Sequence, residues 1–255
     1  MSKDKIYPVS DAETSNTYLD KDSFQEMYQH SIEAPADFWA EQAGDLLHWH
    51  EPWKKVTSGG FATADSKWFE GAKLNVAYNC IDRHLQRRGE QTAIIWEGDE
   101  PEIDKKITYR ELHTEVCKLA NALKARGVSK GDRVCIYMPM VPEAAYAMLA
   151  CARIGAVHSV VFGGFSAESI KDRILDSDCQ SVITADEGVR GGRTIPLKAN
   201  VDEALEHCPN VHSVFVVRRT NVEIPWHEKR DVCYLKATEA AASECEPELM
   251  DAEDP

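Results

Sequence analysis

Apolar positions along residues 92–217 alternate between short continuous runs and stretches with helical spacing. The runs that predict buried strands begin at residues 133, 157, 181 and 213. In the clearest helical stretch, Thr108 and Glu111 form a capping box and Gly127 supplies the stop. Strands that alternate with helices in this way are typical of βα units. The pattern therefore predicts an α/β fold in which a parallel sheet is flanked by helices.

Residues 1–70 follow a different pattern and hold four of the six tryptophans. Apolar spacing predicts a helix around residues 24–32, and Pro35 is placed to open a second one. The tryptophans are Trp39, Trp49, Trp53 and Trp68. Aromatic clusters can line a ligand site, but large aromatic side chains mostly pack. We interpret this segment as an aromatic arm that is clamped onto the main body.

The segment 239–254 carries seven acidic residues and neither lysine nor arginine. Such a composition predicts a solvated loop in which Cys245 is exposed. The predicted organisation is therefore an N-terminal helical arm (1–70), an α/β subdomain (71–245) and an acidic tail (246–255). No strand or helix is predicted at the C-terminal end of this sequence. We therefore interpret the sequence as part of a fold that continues beyond residue 255.

Composition narrows the class of protein. Lysine and arginine number 29 against 43 aspartates and glutamates, for a net charge of −14, which disfavours a nucleic-acid partner. Neither a membrane span nor a secretory leader is predicted, because no apolar window of the required length occurs. The eight cysteines form no CxxC pair, and most lie in apolar runs. They are predicted to be reduced, packed thiols of a cytoplasmic protein.

Two glycine-containing turns follow predicted strands. The first, at 161–166, places Gly163 and Gly164 before a helix cap, an arrangement that either binds an anion or merely makes a tight turn. The second, at 188–193, flanks two glycines with Arg190 and Arg193. Guanidinium groups match phosphate oxygens, and the carboxyl edge of a parallel sheet is the usual ligand side. The alternative is a mobile loop whose arginines pair with the neighbouring acidic residues 186 and 187.

Other candidates for chemistry are weaker. His48 and His50 lack a third nearby metal ligand, so no metal site is predicted. A polar group at Tyr78, Asp82, Arg83 and His84 is interpreted as the outer side of a helix whose inner side holds Val76, Cys80 and Ile81. The motifs of P-loop nucleotide-binding proteins, serine hydrolases and zinc proteases are missing from the sequence. The residues alone therefore predict a phosphate-anion loop and no complete catalytic set.

Six motifs, taken in order, resemble the acetyl-coenzyme A synthetase family. They are WFEGAKLNVAYNCIDRH at 68–84, ITYREL at 107–112, GDRV at 131–134, YMPMVPE at 137–143, RIGAVHSVVFGGFS at 153–166 and RGGR at 190–193. The first and last are specific to the acetyl and propionyl branch, whereas the middle ones are shared with other adenylate-forming ligases. Ala72 stands where the family often has glycine, which we interpret as a small loop variation.

The resemblance implies part of the large N-terminal domain of an enzyme that makes acetyl-coenzyme A from acetate, ATP and coenzyme A, with Mg²⁺. It implies that Arg190, Gly191, Gly192 and Arg193 bind the phosphates of the coenzyme A nucleotide. It also implies that Phe162, Gly163 and Gly164 line the adenine side.

The family's ATP phosphate loop, acetate pocket and catalytic lysine have no counterpart in this sequence. The resemblance therefore implies an N-terminal portion, inactive on its own, with part of the coenzyme A site and no catalytic residue. The alternatives are a portion of a propionyl- or other short-chain acyl-coenzyme A synthetase, or a non-catalytic interaction module.

Overall fold

A computed structural model describes residues 9–10, 15, 17–100 and 102–255. The predicted arm therefore lies partly outside the described residues. The elements up to residue 97 are α1 (Lys21–Glu33), α2 (Pro35–Leu46), β1 (Lys55–Ser58), β2 (Lys67–Glu70), β3 (Lys73–Leu74), α3 (Val76–Cys80), a 3₁₀ turn (Asp82–His84), α4 (Leu85–Arg88) and β4 (Thr92–Glu97). The two helices predicted in the arm are both present, and Pro35 lies in the first turn of α2.

The remaining elements build an α/β body. They are β5 (Asp104–Thr108), α5 (Tyr109–Ala125), β6 (Arg133–Met138), α6 (Pro142–Arg153), β7 (Val157–Phe162), α7 (Ala167–Ser177), β8 (Ser181–Ala185), β9 (Gly188–Arg190), β10 (Arg193–Ile195), α8 (Leu197–Leu205), β11 (Ser213–Val217), β12 (Asp231–Cys233), α9 (Tyr234–Glu239) and β13 (Met250–Asp251). Strands β4 and β5 form an antiparallel hairpin.

Five strands form one sheet in the order β12–β11–β8–β6–β7, and every neighbouring pair is parallel. Every residue of β8 and β11 is buried, as expected of strands covered on both faces. Thr184 lies between Tyr137 and Val216 in register, so the carboxyl ends of three strands meet at one edge. The predicted parallel α/β sheet is confirmed.

The order in which successive strands are added to the sheet reverses at β6. Strand β7 lies on one side of β6, and β8, which comes next along the chain, lies on the other. Consecutive crossovers therefore leave a crevice beyond the carboxyl end of β6, the usual position of a ligand in an open parallel sheet. Two predicted helix caps are also present in the structure. Thr108 and Glu111 form both bonds of the capping box on α5, and Ser166 caps α7.

The C-terminal segment is not a solvated loop, and Cys245 is not exposed. Residues 242–254, which we call the strap, run back across the body toward the arm. The Asn121 amide donates to the carbonyls of Ala242 and Glu244, and Met250–Asp251 pairs antiparallel with β3. Cys245 is only 6% exposed. The acidic composition misled the prediction because the strap is held mainly through its backbone.

The acidic side chains of the strap pair with lysines of the body. The Lys73 ammonium lies 2.7 Å from the Asp251 carboxylate, and that of Lys130 lies 2.8 Å from Asp254. The division of the chain at residues 70 and 245 remains a prediction.

The tryptophans of the arm pack on one another. Within the described residues, their ring contacts are with aromatic side chains of the same arm: Trp49 with Trp53 and Phe69, and Trp39 with Trp68. The link to the next segment includes hydrogen bonds between the side chains of Asn79 and Arg83 and the backbone of residues 46–48. The rings of His48 and His50 also contact the ring of Tyr78. That the tryptophans clamp the arm onto the body stays a prediction.

All eight cysteines are free, and six of them are buried, so the prediction of packed thiols is confirmed for those six. Cys80 is exposed, and so is Val76, so the predicted inner side of their helix is wrong for both residues. Over the described part of the chain, no helix has both the length and the apolar character needed to cross a membrane.

Candidate ligand-binding site

A cavity of about 280 Å³ opens at the carboxyl edge of the parallel sheet. It is lined by residues 138–140 at the end of β6, by 162–163 at the end of β7, and by four residues that follow β8: Gly188, Val189, Arg190 and Ile195. Residues 97–99 of the β4–β5 hairpin and Arg219 complete the lining. The cavity therefore occupies the crevice at which the direction of sheet building reverses.

The predicted loop at 188–193 is a two-stranded hairpin rather than a mobile loop. Strands β9 and β10 pair antiparallel, and Gly191 and Gly192 form the turn with φ of 56° and 72°. A two-residue turn with both φ values positive favours glycine, which explains both glycines without a ligand. Arg190 and Arg193 are directly opposite in register and so lie on one face of the ribbon. Two like charges in this position repel, which favours an anion beside them.

Arg190 lies against an aromatic ring. Its guanidinium carbon is 5.2 Å from the centre of the Phe162 ring, a cation–π contact across the cavity wall. Gly163 follows in the lining, and a Cβ atom on it would lie 2.9 Å from the Met138 carbonyl oxygen. Gly163 is therefore required for close backbone packing. At Gly164 an added Cβ would meet only the Phe162 ring, at 3.3 Å.

The structure thus gathers three of the seven predicted site residues. Phe162, Gly163 and Arg190 line the cavity. Gly164, Gly191, Gly192 and Arg193 are outside the lining, and all four are exposed. The Gly192 amide donates to an Asp99 carboxylate oxygen at 3.2 Å, so the β4–β5 hairpin contacts the glycine turn.

The acidic residues beside the hairpin do not pair with its arginines. The Asp186 carboxylate is 1% exposed and accepts from the amides of Glu187, Arg219 and Asn221, each at 2.8 Å. Glu187 accepts from the Thr220 hydroxyl. In the described part of the chain, neither Arg190 nor Arg193 forms an ion pair within 4.0 Å. The alternative that the two arginines are neutralised by residues 186 and 187 is therefore wrong.

A buried charged cluster, which the sequence analysis did not find, lies at the base of the strap. Arg153 donates to both oxygens of Asp82 at 2.8 and 2.9 Å, and its Nε donates to the Cys245 carbonyl. The His113 Nε2 lies 3.4 Å from Asp82. Burial alone would raise the pKa of Asp82, but hydrogen bonds from His113 and Arg153 lower it to about 2. The Asp82 hydrogen bond raises the pKa of His113 to about 9.

This cluster joins the turn at Asp82, helices α5 and α6, and the strap, which are far apart in sequence. It corrects the interpretation of Asp82 as the outer side of a helix, since its side chain is only 14% exposed. The described residues contain no group of three or more His, Cys, Asp or Glu side chains that could hold a metal ion. His48 and His50 lie close together, with ring centres 5.3 Å apart.

Family models match almost the whole described chain. The model described as "Acetyl-coenzyme A synthetase N-terminus" matches residues 24–80, and the model described as "AMP-binding enzyme" matches residues 81–255. The chain therefore belongs to the AMP-binding enzyme family.

Its relatives carry more specific names. Acetyl-coenzyme A synthetase 2 of Pseudomonas aeruginosa is 62% identical over 98% of this chain and 39% of its own length. Acetyl-coenzyme A synthetase of Halorhodospira halophila is 61% identical over the whole chain and 40% of its own length. The solved acetoacetyl-CoA synthetase from Streptomyces lividans superposes with a TM-score of 0.80 at 27% identity, over 89% of this chain and 34% of that one. The predicted fold and family are confirmed, and the chain spans about 40% of these curated relatives.

Proposed function

We propose that this chain is the N-terminal part of an AMP-forming acetate–coenzyme A ligase. Such an enzyme joins acetate to ATP, forming acetyl-adenylate and releasing pyrophosphate. The coenzyme A thiol then attacks the acyl carbon, giving acetyl-coenzyme A and AMP. Identities near 60% to two acetyl-coenzyme A synthetases, together with both family models, support this proposal. No catalytic residue is assigned within the chain.

The observation that carries the site is the cavity with Arg190 against Phe162. An aromatic face and a guanidinium group at the carboxyl edge of a parallel sheet suit a ligand that has both a base and phosphates. We assign Arg190, Gly191, Gly192 and Arg193 to the phosphates of coenzyme A. Phe162, Gly163 and Gly164 are assigned to its adenine. ATP and acetate are the other substrates.

Mg²⁺ is expected for the whole enzyme because it offsets phosphate charge. The described residues contain no group of three or more His, Cys, Asp or Glu side chains that could hold a metal ion. No residue of this chain is therefore assigned to the metal.

The test is Arg193→Ala in the full-length enzyme that contains this chain. A charged hydrogen bond to phosphate contributes about 1.5–3 kcal/mol, less where water screens it. At about 1.4 kcal/mol per factor of ten, the KM for coenzyme A should rise about tenfold. Acetate-dependent exchange of pyrophosphate into ATP should be nearly unchanged, since it needs no coenzyme A. Dephospho-coenzyme A should discriminate less between the two enzymes if the 3′-phosphate is the contact.

The matched control is Arg110→Ala, because Arg110 is also an exposed arginine but lies on α5 rather than on the β9–β10 hairpin, and it pairs with Glu90 at 2.7 Å. It should leave the KM for coenzyme A unchanged. An Arg193→Ala enzyme with unaltered coenzyme A saturation would remove the phosphate role. Equal loss of both half-reactions in a folded protein would also remove it.

The 255-residue chain alone should not form acetyl-adenylate. Pyrophosphate exchange by this chain above a heat-killed control would contradict that expectation. Propionate, run beside acetate in the full-length enzyme, tests acyl preference. A higher kcat/KM for propionate would reassign the chain to the propionyl branch.

A further inference from the structure

Arg219 is a second cation on the cavity wall and comes from a different part of the chain than Arg190. It lies two residues beyond β11, at the same carboxyl edge of the sheet, and it lines the cavity. Its Nε atom is buried and, within the described residues, has no hydrogen-bond partner. The Arg219 side chain as a whole is half-buried. A buried donor atom without a partner is costly, and a ligand in the cavity could supply the acceptors that the polypeptide does not.

Two contacts hold Arg219 in place. Its amide donates to the buried Asp186 carboxylate at 2.8 Å, which fixes the backbone of the turn. Its guanidinium carbon lies 5.7 Å from the centre of the Trp96 ring. The Trp96 Nε1 in turn donates to the Met140 carbonyl at 2.8 Å. The guanidinium is therefore oriented before any ligand binds, which lowers the entropy cost of binding.

Arg219 and Arg190 share the same surroundings. Each guanidinium lies against an aromatic ring, Trp96 for one and Phe162 for the other. Neither forms an ion pair in the part of the chain that the structure describes, although Glu97 and Asp99 line the same cavity. Arg190 and Arg219 line one cavity of about 280 Å³, and two unpaired cations on the same cavity wall repel each other. An anion that contacts both relieves this repulsion and satisfies the Arg219 donors.

We propose that Arg219 is a phosphate-binding residue of this site and contacts the nucleotide phosphates of the ligand together with Arg190. The proposal rests on the proposed function and adds a residue to that site. In this assignment, Asp186 and Trp96 are positioning residues that act through Arg219. The alternative is that Arg219 only packs on Trp96.

Calorimetric titration of the full-length enzyme with coenzyme A separates these alternatives. Arg219→Met keeps a long side chain beside Trp96 but removes the charge and the forked donors. We expect it to raise the Kd for coenzyme A about tenfold. We expect a smaller effect on dephospho-coenzyme A if Arg219 contacts the 3′-phosphate, and an equal effect if it contacts the 5′-diphosphate. An unchanged Kd for both ligands would overturn the proposal.

Arg218→Met is the matched control. It removes the same charge one residue away, but Arg218 lies over Trp226, outside the cavity lining, and donates to the Val222 carbonyl. Its Kd for coenzyme A should remain within twofold of wild type. An equal loss in the Arg218 and Arg219 variants would show a general charge effect and would overturn the assigned contact.

Two further variants complete the design. If Arg219→Met fails to fold, Arg219→Lys tests the proposal instead, because lysine keeps the positive charge but lacks the forked donors of the guanidinium group. A Kd raised threefold or more supports the proposal, and wild-type affinity overturns it. Arg190→Met tests the proposed function separately. If Arg190→Met weakens coenzyme A binding while the Arg219 variants do not, only the assignment of Arg219 is overturned. If none of the variants weakens binding, the whole site assignment fails.

Discussion

Replacement of Arg153 by methionine should destabilise the chain because it leaves the Asp82 carboxylate buried without its main partner. The Arg153 and Asp82 side chains are only 3% and 14% exposed. Two hydrogen bonds of 2.8 and 2.9 Å to Asp82 would be lost, together with the one to the Cys245 carbonyl. Removal of one member of a buried pair costs about 3–5 kcal/mol. His113 remains as a charged neighbour of Asp82, so we expect about 3 kcal/mol.

The assay is urea unfolding at pH 7, with the free energy extrapolated to water. Arg110→Met is the control, because its pair with Glu90 is 60% and 80% exposed and should contribute less than about 1 kcal/mol. Arg153→Met should also accelerate labelling of Cys245 by a thiol reagent, since the strap loses an anchor. A loss below about 1 kcal/mol, with Cys245 still protected, would refute this account of the cluster.

Three further outcomes follow from the structure. Because the folded-state pKa of His113 is raised to about 9, its stabilisation is complete below about pH 6.5 and disappears as the pH rises through 9. Unfolding of wild type should show this loss, and a pH profile for His113→Gln that is equally steep would contradict it. Under native conditions Cys80 should be labelled before Cys245, and mass mapping in the reverse order would disprove the placement of the strap. Gly163→Ala should weaken coenzyme A binding more than Gly164→Ala, because only the former forces a Cβ to within 2.9 Å of a backbone carbonyl; equal affinities would refute this.

Local signals predicted the local structure. The capping box at Thr108 and the Ser166 cap were both readable, because each depends on residues three positions apart. The parallel sheet followed from the spacing of apolar runs, whose β8 and β11 strands have no exposed residue. The hairpin turn at Gly191 and Gly192 was also readable from its two-residue Gly-Gly signal, although it was interpreted as a loop.

Long-range pairings were not predictable in the same way. Asp82, His113 and Arg153 meet only after the helices pack, and no periodicity connects them. The acidic composition of the strap hid its backbone pairing with β3. For the site, the rule that carboxyl ends of parallel strands meet at one edge pointed to residues 162–164 and 190–193. The same rule, applied to the strand ending at Val217, would have pointed to Arg219.

The strap imposes an order on biosynthesis. Leu74 of β3 finds its partner only in Met250, and Ala72 accepts the amide of Ala252. More than half of the chain is synthesised after Leu74 and before Met250. During that interval β3 has emerged but lacks its strand partner, while the parallel sheet is still incomplete. Contacts between residues so distant in sequence form slowly. The backbone edge of β3 therefore stays unpaired for most of the synthesis of this chain, and an unpaired strand edge favours aggregation.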